Sequence, residues 1–229
     1  KKTKQNGEAL AGAVFGLFDS DGTKVQEATS AADGSVLFQQ IAYGEYTIRE
    51  LSAPYGYHPS AEEWSVTIDG TYLNPTTLLA TVVNEDAPGR IRITKQDALD
   101  QHTIAGVQFD IYSVDEGGNA MDRVAQMTTN EQGIAESPDL FPADYIVREH
   151  ANPTGYEDTL WSEKITVGMD ELVTRTVTNM PIQGVIRIVK TDSETANGLP
   201  GAEFTVTRIS GLPSHNGEGD GEVVAVITT

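Results

Sequence analysis

The stretch GRIRITKQD, residues 89–97, decides the fold of this chain. Its apolar residues alternate with polar ones up to Lys95, which is the pattern of a β-strand with one buried face. A closely similar stretch, GVIRIVKTD, stands at residues 184–192. The chain therefore contains an internal repeat, and the repeat begins with a strand.

The remaining matches fix the length of the repeat. Both stretches lead into a Gly-x-x-Phe, at 106–109 and 201–204, and the opening KTK followed by GAVF is the same element shortened at its front. GEYTIRELSAPYGY at 44–57 matches ADYIVREHANPTGY at 143–156. Asn84 and Asn179 end matching TVVN and TVTN segments 95 positions apart. The sequence predicts domains at 1–86 and 87–181, and a partial third unit at 182–229 that holds only N-terminal strands.

Within a unit, the pattern predicts an all-β fold. Short alternating runs are separated by turn sequences such as Asp21-Gly22, Asp33-Gly34 and Gly117-Gly118, and helical periodicity is nearly absent. Seven or so short strands in about 95 residues are typical of an antiparallel sandwich of the immunoglobulin type. We therefore expect tandem antiparallel β-sandwiches.

Composition excludes several classes of function. The chain has 34 acidic and 15 basic residues and a formal charge of -19, which opposes binding to nucleic acid or anionic lipid. It has no cysteine, no apolar run of membrane-spanning length and no signal peptide, so we expect a mature or excised fragment without membrane insertion. The histidines have no spacing typical of a metal site; they are His58, His102, His150 and His215.

Three polar residues recur inside the apolar strand patterns of both complete units. They are Lys2, Glu50 and Asn84 in the first unit, and Lys95, Glu149 and Asn179 in the second. One explanation is a buried Lys-Glu ion pair with a hydrogen-bonded asparagine. The other is that the three side chains react with one another.

These motifs resemble a known family. A K-x-D first strand, a G-x-Y-x-x-x-E…P-x-G-Y box and a final V-x-N are similar to the B-type repeats of the staphylococcal collagen adhesin (Cna B-type domains), which also occur in pilins and adhesins of Gram-positive bacteria. The resemblance covers the whole chain and implies prealbumin-like sandwiches. It also implies an intramolecular isopeptide bond between the first-strand lysine and the last-strand asparagine, assisted by the glutamate.

Carried over residue by residue, the resemblance implies that Lys2 bonds to Asn84 and Lys95 bonds to Asn179. Glu50 and Glu149 are the assisting acids. The first unit lacks the G-x-I-x-I run before its lysine, so Lys1 remains an alternative to Lys2. Lys190 is the corresponding lysine of the partial unit, and its glutamate and asparagine are not found up to residue 229.

The physical chemistry of such a group is consistent with this reaction. Burial lowers the pKa of a lysine, so the nucleophilic neutral amine becomes populated. Burial also favours a protonated carboxyl, which can donate to the asparagine carbonyl and transfer protons as ammonia leaves. The reaction happens once per molecule, so we predict no enzyme in the turnover sense and no cofactor or metal.

The function that the resemblance implies is structural. We expect an extracellular stalk or pilus-shaft segment of a cell-wall-anchored surface protein, with neighbouring domains or subunits of that protein as partners. A host matrix protein or glycan would be reached through a tip outside this chain. Two alternatives remain open: an adhesive module that binds a host protein or glycan through its loops, and an accessory sandwich of a secreted carbohydrate-active enzyme.

Overall fold

The computed structural model describes residues 1–69, 80–151, 153–157, 160–207 and 223–229, and these residues contain strands and no helix. This confirms the predicted all-β fold. The strands are β1 Lys2–Lys4, β2 Val14–Phe18, β3 Lys24–Thr29, β4 Gly44–Ser52, β5 Tyr57–His58, β6 Glu63–Ile68, β7 Val82–Asp86, β8 Arg90–Asp97, β9 Gln108–Val114, β10 Ala120–Thr128, β11 Ile134–Glu136, β12 Ala143–Glu149, β13 Ser162–Val167, β14 Leu172–Asn179, β15 Glu203–Thr207 and β16 Val223–Thr228. Within the described residues, no segment forms a helix that could cross a membrane.

The chain divides into two compact units. The first contains Lys1–Arg90 together with Asp139–Ala143 and Thr166–Leu172. It has a sheet of order β1-β7-β5 and a sheet of order β3-β2-β4-β6. Strand β1 runs parallel to β7, with Lys2 opposite Val82 and Lys4 opposite Asn84. Its apolar core cluster consists of Ala13, Phe15 and Val82, with Val36, Phe38, Ile48 and Trp64 packed against them.

The second unit contains Ile91–Pro138, Asp144–Ile165 and Val173–Thr229. Its sheets have the orders β10-β9-β12-β13, β11-β8-β14 and β15-β16. The alternation read from residues 89–97 becomes alternating burial along β8, where Ile91, Ile93 and Lys95 all point inward. The predicted division into 1–86, 87–181 and 182–229 stays a prediction.

The third repeat departs from the expected strands at its front. Strands β15 and β16 pair as an antiparallel hairpin, but residues 185–190 form no strand and Val185 is 96% exposed. The matching strand β8 is hydrogen-bonded between β11 and β14. Within residues 182–207 and 223–229, no strand pairs with residues 185–190, so this segment has no sheet partner there.

Candidate functional site

In the second unit, Lys95, Glu149 and Asn179 meet in the core. Their exposed fractions are 0%, 3% and 1%. The Lys95 amine Nζ donates to Glu149 Oε2 at 3.3 Å and also to Asn179 Oδ1. Asn179 Nδ2 donates to Glu149 Oε1 at 3.0 Å. The carboxyl therefore bridges an amine and an amide that touch each other.

The arrangement of the strands explains why these three side chains lie in contact. Lys95 lies on the buried face of β8, and β14, which ends at Asn179, is the neighbour of β8 in its sheet. Glu149 is the last residue of β12 and lies opposite Phe109 of β9. Three strands from two sheets thus each contribute one polar side chain to an apolar interior.

The first unit repeats the arrangement with Lys2, Glu50 and Asn84. The Lys2 and Asn84 side chains are fully buried, and Glu50 is 8% exposed. Lys2 Nζ donates to Glu50 Oε2 at 3.2 Å and also to Asn84 Oδ1, and Asn84 Nδ2 donates to Glu50 Oε1 at 2.8 Å. Glu50 lies opposite Phe15, as Glu149 lies opposite Phe109.

The structure also distinguishes the lysines near the start of the chain. Lys1 is exposed, and Lys4 forms an exposed ion pair with Glu8, whereas Lys2 enters the buried group. The backbone N–H of Ser60 adds a hydrogen bond of 2.9 Å to Glu50 Oε2. This donor lies in a loop, where the sequence has no periodic pattern from which it could be predicted.

The surroundings favour the neutral amine. Burial lowers the pKa of both Lys2 and Lys95, and it outweighs the opposing effect of the neighbouring glutamate in each case. Aromatic rings line these interiors. Lys2 Nζ is 6.0 Å from the centre of the Phe15 ring, and Phe109 makes an edge contact with Trp161 at a centroid distance of 6.1 Å. An uncharged amine beside a primary amide and a carboxyl can exchange the amide and release ammonia.

Lys190, the predicted lysine of the partial unit, lies in a different environment. It is exposed and belongs to no strand. Lys2 and Lys95 are buried by strands that the third repeat does not contain up to residue 229. The structure therefore shows Lys190 without such an enclosure.

One group of side chains in the described residues has the composition of a metal site. Asp97, Asp100 and His102 place their ligand atoms within 4.8 Å of one another. Asp97 Oδ1 accepts the backbone N–H of Leu99 at 2.7 Å, and Asp100 Oδ1 accepts the backbone N–H of His102 at 3.0 Å. These bonds shape the turn after β8. Of the other histidines, His58 and His150 each contact one aspartate, and His215 lies outside the described residues.

Fold and site together define a class: all-β sandwich domains, each with a lysine, a glutamate and an asparagine hydrogen-bonded to one another in its core. A family model described as the SpaA prealbumin-like fold domain matches residues 1–78 and 89–181. The chain belongs to this family, and the resemblance read from its motifs is confirmed.

One of the individual relatives is a surface protein by name. The trypsin-resistant surface T6 protein of Streptococcus pyogenes is 34% identical over 58 residues, which are 25% of this chain and 11% of that protein. A solved structure of the Bacillus anthracis TIE protein is 25% identical with a TM-score of 0.75, and the match covers 100% of this chain and 40% of that one. The chain thus spans less than half of either relative.

A third relative is similar in fold alone. It is a C-terminal fragment of the pilus adhesin SpaC from Lactobacillus rhamnosus GG, which is 16% identical with a TM-score of 0.50. The match covers 81% of this chain and 98% of that fragment.

Proposed function

We propose that this chain is a stalk or pilus-shaft segment of a Gram-positive cell-surface protein, stiffened by an isopeptide bond in each complete repeat. The observation that carries the proposal is the repetition of one buried group, Lys-Glu-Asn, in two units with the same hydrogen-bond pattern. The T6 relative, a surface protein by name, supports the extracellular location. Anchoring to the cell wall belongs to the proposal.

The proposed reaction joins Lys95 to Asn179 and Lys2 to Asn84. The neutral Nζ attacks the asparagine Cγ, the new Nζ–Cγ bond forms, and the Cγ–Nδ2 bond breaks. One amine proton moves to Nδ2 through the glutamate carboxyl, so the leaving group departs as ammonia. Holding the groups together in the core can supply roughly 7 to 11 kcal/mol of the barrier. Each site reacts once, which is why no turnover is expected.

The mechanical benefit follows from which strands are joined. The lysine lies in the first strand of each complete repeat and the asparagine in the last, separated by 82 positions in one repeat and 84 in the other. Tension along the chain then passes through the bond and leaves the intervening strands unloaded. Neighbouring domains or subunits of the same surface protein are the partners that such a segment requires.

The experiment is intact-mass spectrometry of the denatured chain. Two bonds remove two ammonia molecules, so the measured mass should be about 34 Da below that of the plain sequence. Glu149→Ala should restore about half of this deficit, because only the second site loses its acid.

The matched control is Glu163→Ala. This partly exposed glutamate of β13 pairs with Arg175 of β14, a strand of the other sheet, and its removal should leave the full deficit in place. A wild-type chain with the mass of the plain sequence would leave the buried ion pair as the correct description of both groups.

A further inference from the structure

A hydroxyl recurs at one position in each of the three repeats, and it is buried in the first two. It belongs to the residue that directly follows β3, β10 or β16, namely Ser30, Thr129 or Thr229. Ser30 and Thr129 are each 4% exposed. We call the hydrogen bonds around each of these residues the hydroxyl clamp.

In the second unit, the clamp closes the loop that follows β8. Thr129 Oγ1 donates to the backbone oxygen of Ile104 at 2.8 Å and accepts the backbone N–H of Val107 at 2.9 Å. Ile104 in turn donates its N–H to the backbone oxygen of Lys95 at 2.9 Å. The hydroxyl is thus one residue removed from the backbone of the lysine.

The first and third repeats contain the same set of bonds. Ser30 Oγ donates to the backbone oxygen of Leu10 at 2.8 Å and accepts the backbone N–H of Ala13 at 2.9 Å. The backbone N–H of Leu10 donates to the backbone oxygen of Lys2 at 3.1 Å. In the third repeat, Thr229 Oγ1 donates to the backbone oxygen of Leu199 at 2.8 Å. The backbone N–H of Leu199 donates to the backbone oxygen of Lys190 at 2.8 Å.

The third repeat contains the hydroxyl clamp without the buried Lys-Glu-Asn group. Lys190 is exposed and its repeat contains no counterpart of Glu149 or Asn179 up to residue 229, yet the clamp is complete. The clamp is therefore specified by the first part of a repeat and does not depend on the presence of the acid or the amide.

The remaining side of the reactive lysine is held as well. The N–H of Lys95 donates to the oxygen of Gly133 at 2.8 Å, and the N–H of Lys2 donates to that of Gly34 at 2.6 Å. With the clamp on the carbonyl, both backbone polar groups of each lysine are fixed. Fixing the backbone matters because a displacement of about 1 Å at a reacting centre can slow a reaction by about a hundredfold.

We propose that Ser30 and Thr129 are positioning residues for isopeptide formation, acting through Leu10 and Ile104 on Lys2 and Lys95. The inference rests on the proposed function. Without the hydroxyl, a buried carbonyl and a buried N–H lose their partner, and the loop must shift to satisfy them. The lysine carbonyl then loses its fixed donor, and the amine no longer rests against the amide.

The test compares rates of ammonia loss in variants of the full chain. Chains are made by cell-free synthesis, quenched in guanidinium at intervals, digested and scored by mass for each cross-link separately. Thr129→Val, which removes the hydroxyl and retains the branched shape, should slow bond formation in the second unit by at least about tenfold. Thr129→Ser should restore the rate to within about twofold, and the first unit should be unaffected in both.

Ser113→Ala is the control. Ser113 Oγ also bonds two backbone groups of one residue, Asp122, but at an exposed site that makes no contact with the loop after β8 in these bonds. Its loss should leave both rates unchanged. Near-UV circular dichroism reports whether each variant is folded.

A folded Thr129→Val chain that forms the bond at the wild-type rate overturns the inference, and so does a Thr129→Ser chain as slow as Thr129→Val. A Thr129→Val chain that does not fold also overturns it, because the hydroxyl then serves the fold. If the wild-type chain itself loses no ammonia, the proposed function fails and this inference with it, an outcome that differs from a failure of the clamp alone.

Discussion

The amines of Lys2 and Lys95 combine two properties that rarely occur together: they are fully enclosed and they touch an amide. Burial is the main cause of their lowered pKa, and the neighbouring glutamate only partly opposes it. A lysine in this condition destabilises the fold when it is charged, unless it is consumed by a reaction.

This property predicts how stability depends on pH when the second cross-link cannot form. In Asn179→Ala, the folded chain releases the Lys95 proton at a lower pH than the unfolded chain, whose lysine keeps the ordinary pKa of 10.5. Stability therefore rises with pH between the lowered folded pKa and 10.5, because the unfolded state binds more protons there. Urea unfolding from pH 7 to 10 measures the rise. Adding Lys95→Met should abolish this component, and parallel curves for the two variants would contradict the assignment.

The sequence predicted these residues because polar side chains interrupted apolar strand patterns twice at the same spacing. It could not decide between Lys1 and Lys2, since KKTK shows no alternation; the contacts across β1 and β7 bring Lys2 inward. Ser60 and Thr129 were not predicted. Ser60 donates its own backbone N–H from a loop to Glu50, and Thr129 bonds backbone groups of a loop, so no periodicity of the sequence indicates either contact.

At the scale of elements, the turn before β11 is built to hold β8. Gly133 has a φ of +69°, and an added Cβ would lie 2.7 Å from the backbone oxygen of Lys95 and 2.7 Å from Cβ of Thr103. Gly118 has a similar φ of +82°, but a Cβ there would meet nothing within 4 Å. Both glycines would suffer backbone strain if replaced, but only a replacement at Gly133 would also cause a steric clash, so comparing the two positions distinguishes the two effects.

We predict different effects of alanine at these two glycines. In a Glu149→Ala background, Gly118→Ala should lower the free energy of unfolding by about 1 to 2 kcal/mol through left-handed strain alone. Gly133→Ala should lower it by about 3 kcal/mol or more, because the new methyl group also displaces the lysine strand. Denaturant unfolding of both variants gives the comparison. If both variants lost the same free energy of unfolding, the backbone of Gly133 would not be closely packed against Lys95.

The third repeat shows the limit of prediction for an element. Residues 184–192 read as the same strand as 89–97, yet 185–190 form none, because a strand depends on hydrogen bonds from partners that are distant in sequence. The alternation of residues specifies which face would be buried. It does not supply the neighbour that completes the ladder.

For the whole molecule, we predict a difference in response to force. If Lys95 and Asn179 are joined, the 84 positions between them cannot extend, whereas Glu149→Ala should release roughly 290 Å of additional chain on unfolding. Single-molecule pulling of the wild type and the variant measures this step. The bond should also add about 4 to 5 kcal/mol to stability by restricting the unfolded chain. A step of this length in the wild type would show that the load does not bypass the second sandwich.

If the proposed bonds form, the order of the lysine and the asparagine along the chain has a consequence for export to the proposed extracellular location. In each complete repeat the lysine comes first and the asparagine comes last, 82 or 84 positions later. When a repeat is passing through a narrow translocation channel with its N-terminus first, the lysine emerges before the asparagine. The bond cannot form at that stage, so the repeat remains an unfolded and extensible chain. Once the bond has formed, the residues between the lysine and the asparagine can no longer be fully extended. Bond formation outside the membrane would therefore prevent the repeat from moving back through the channel.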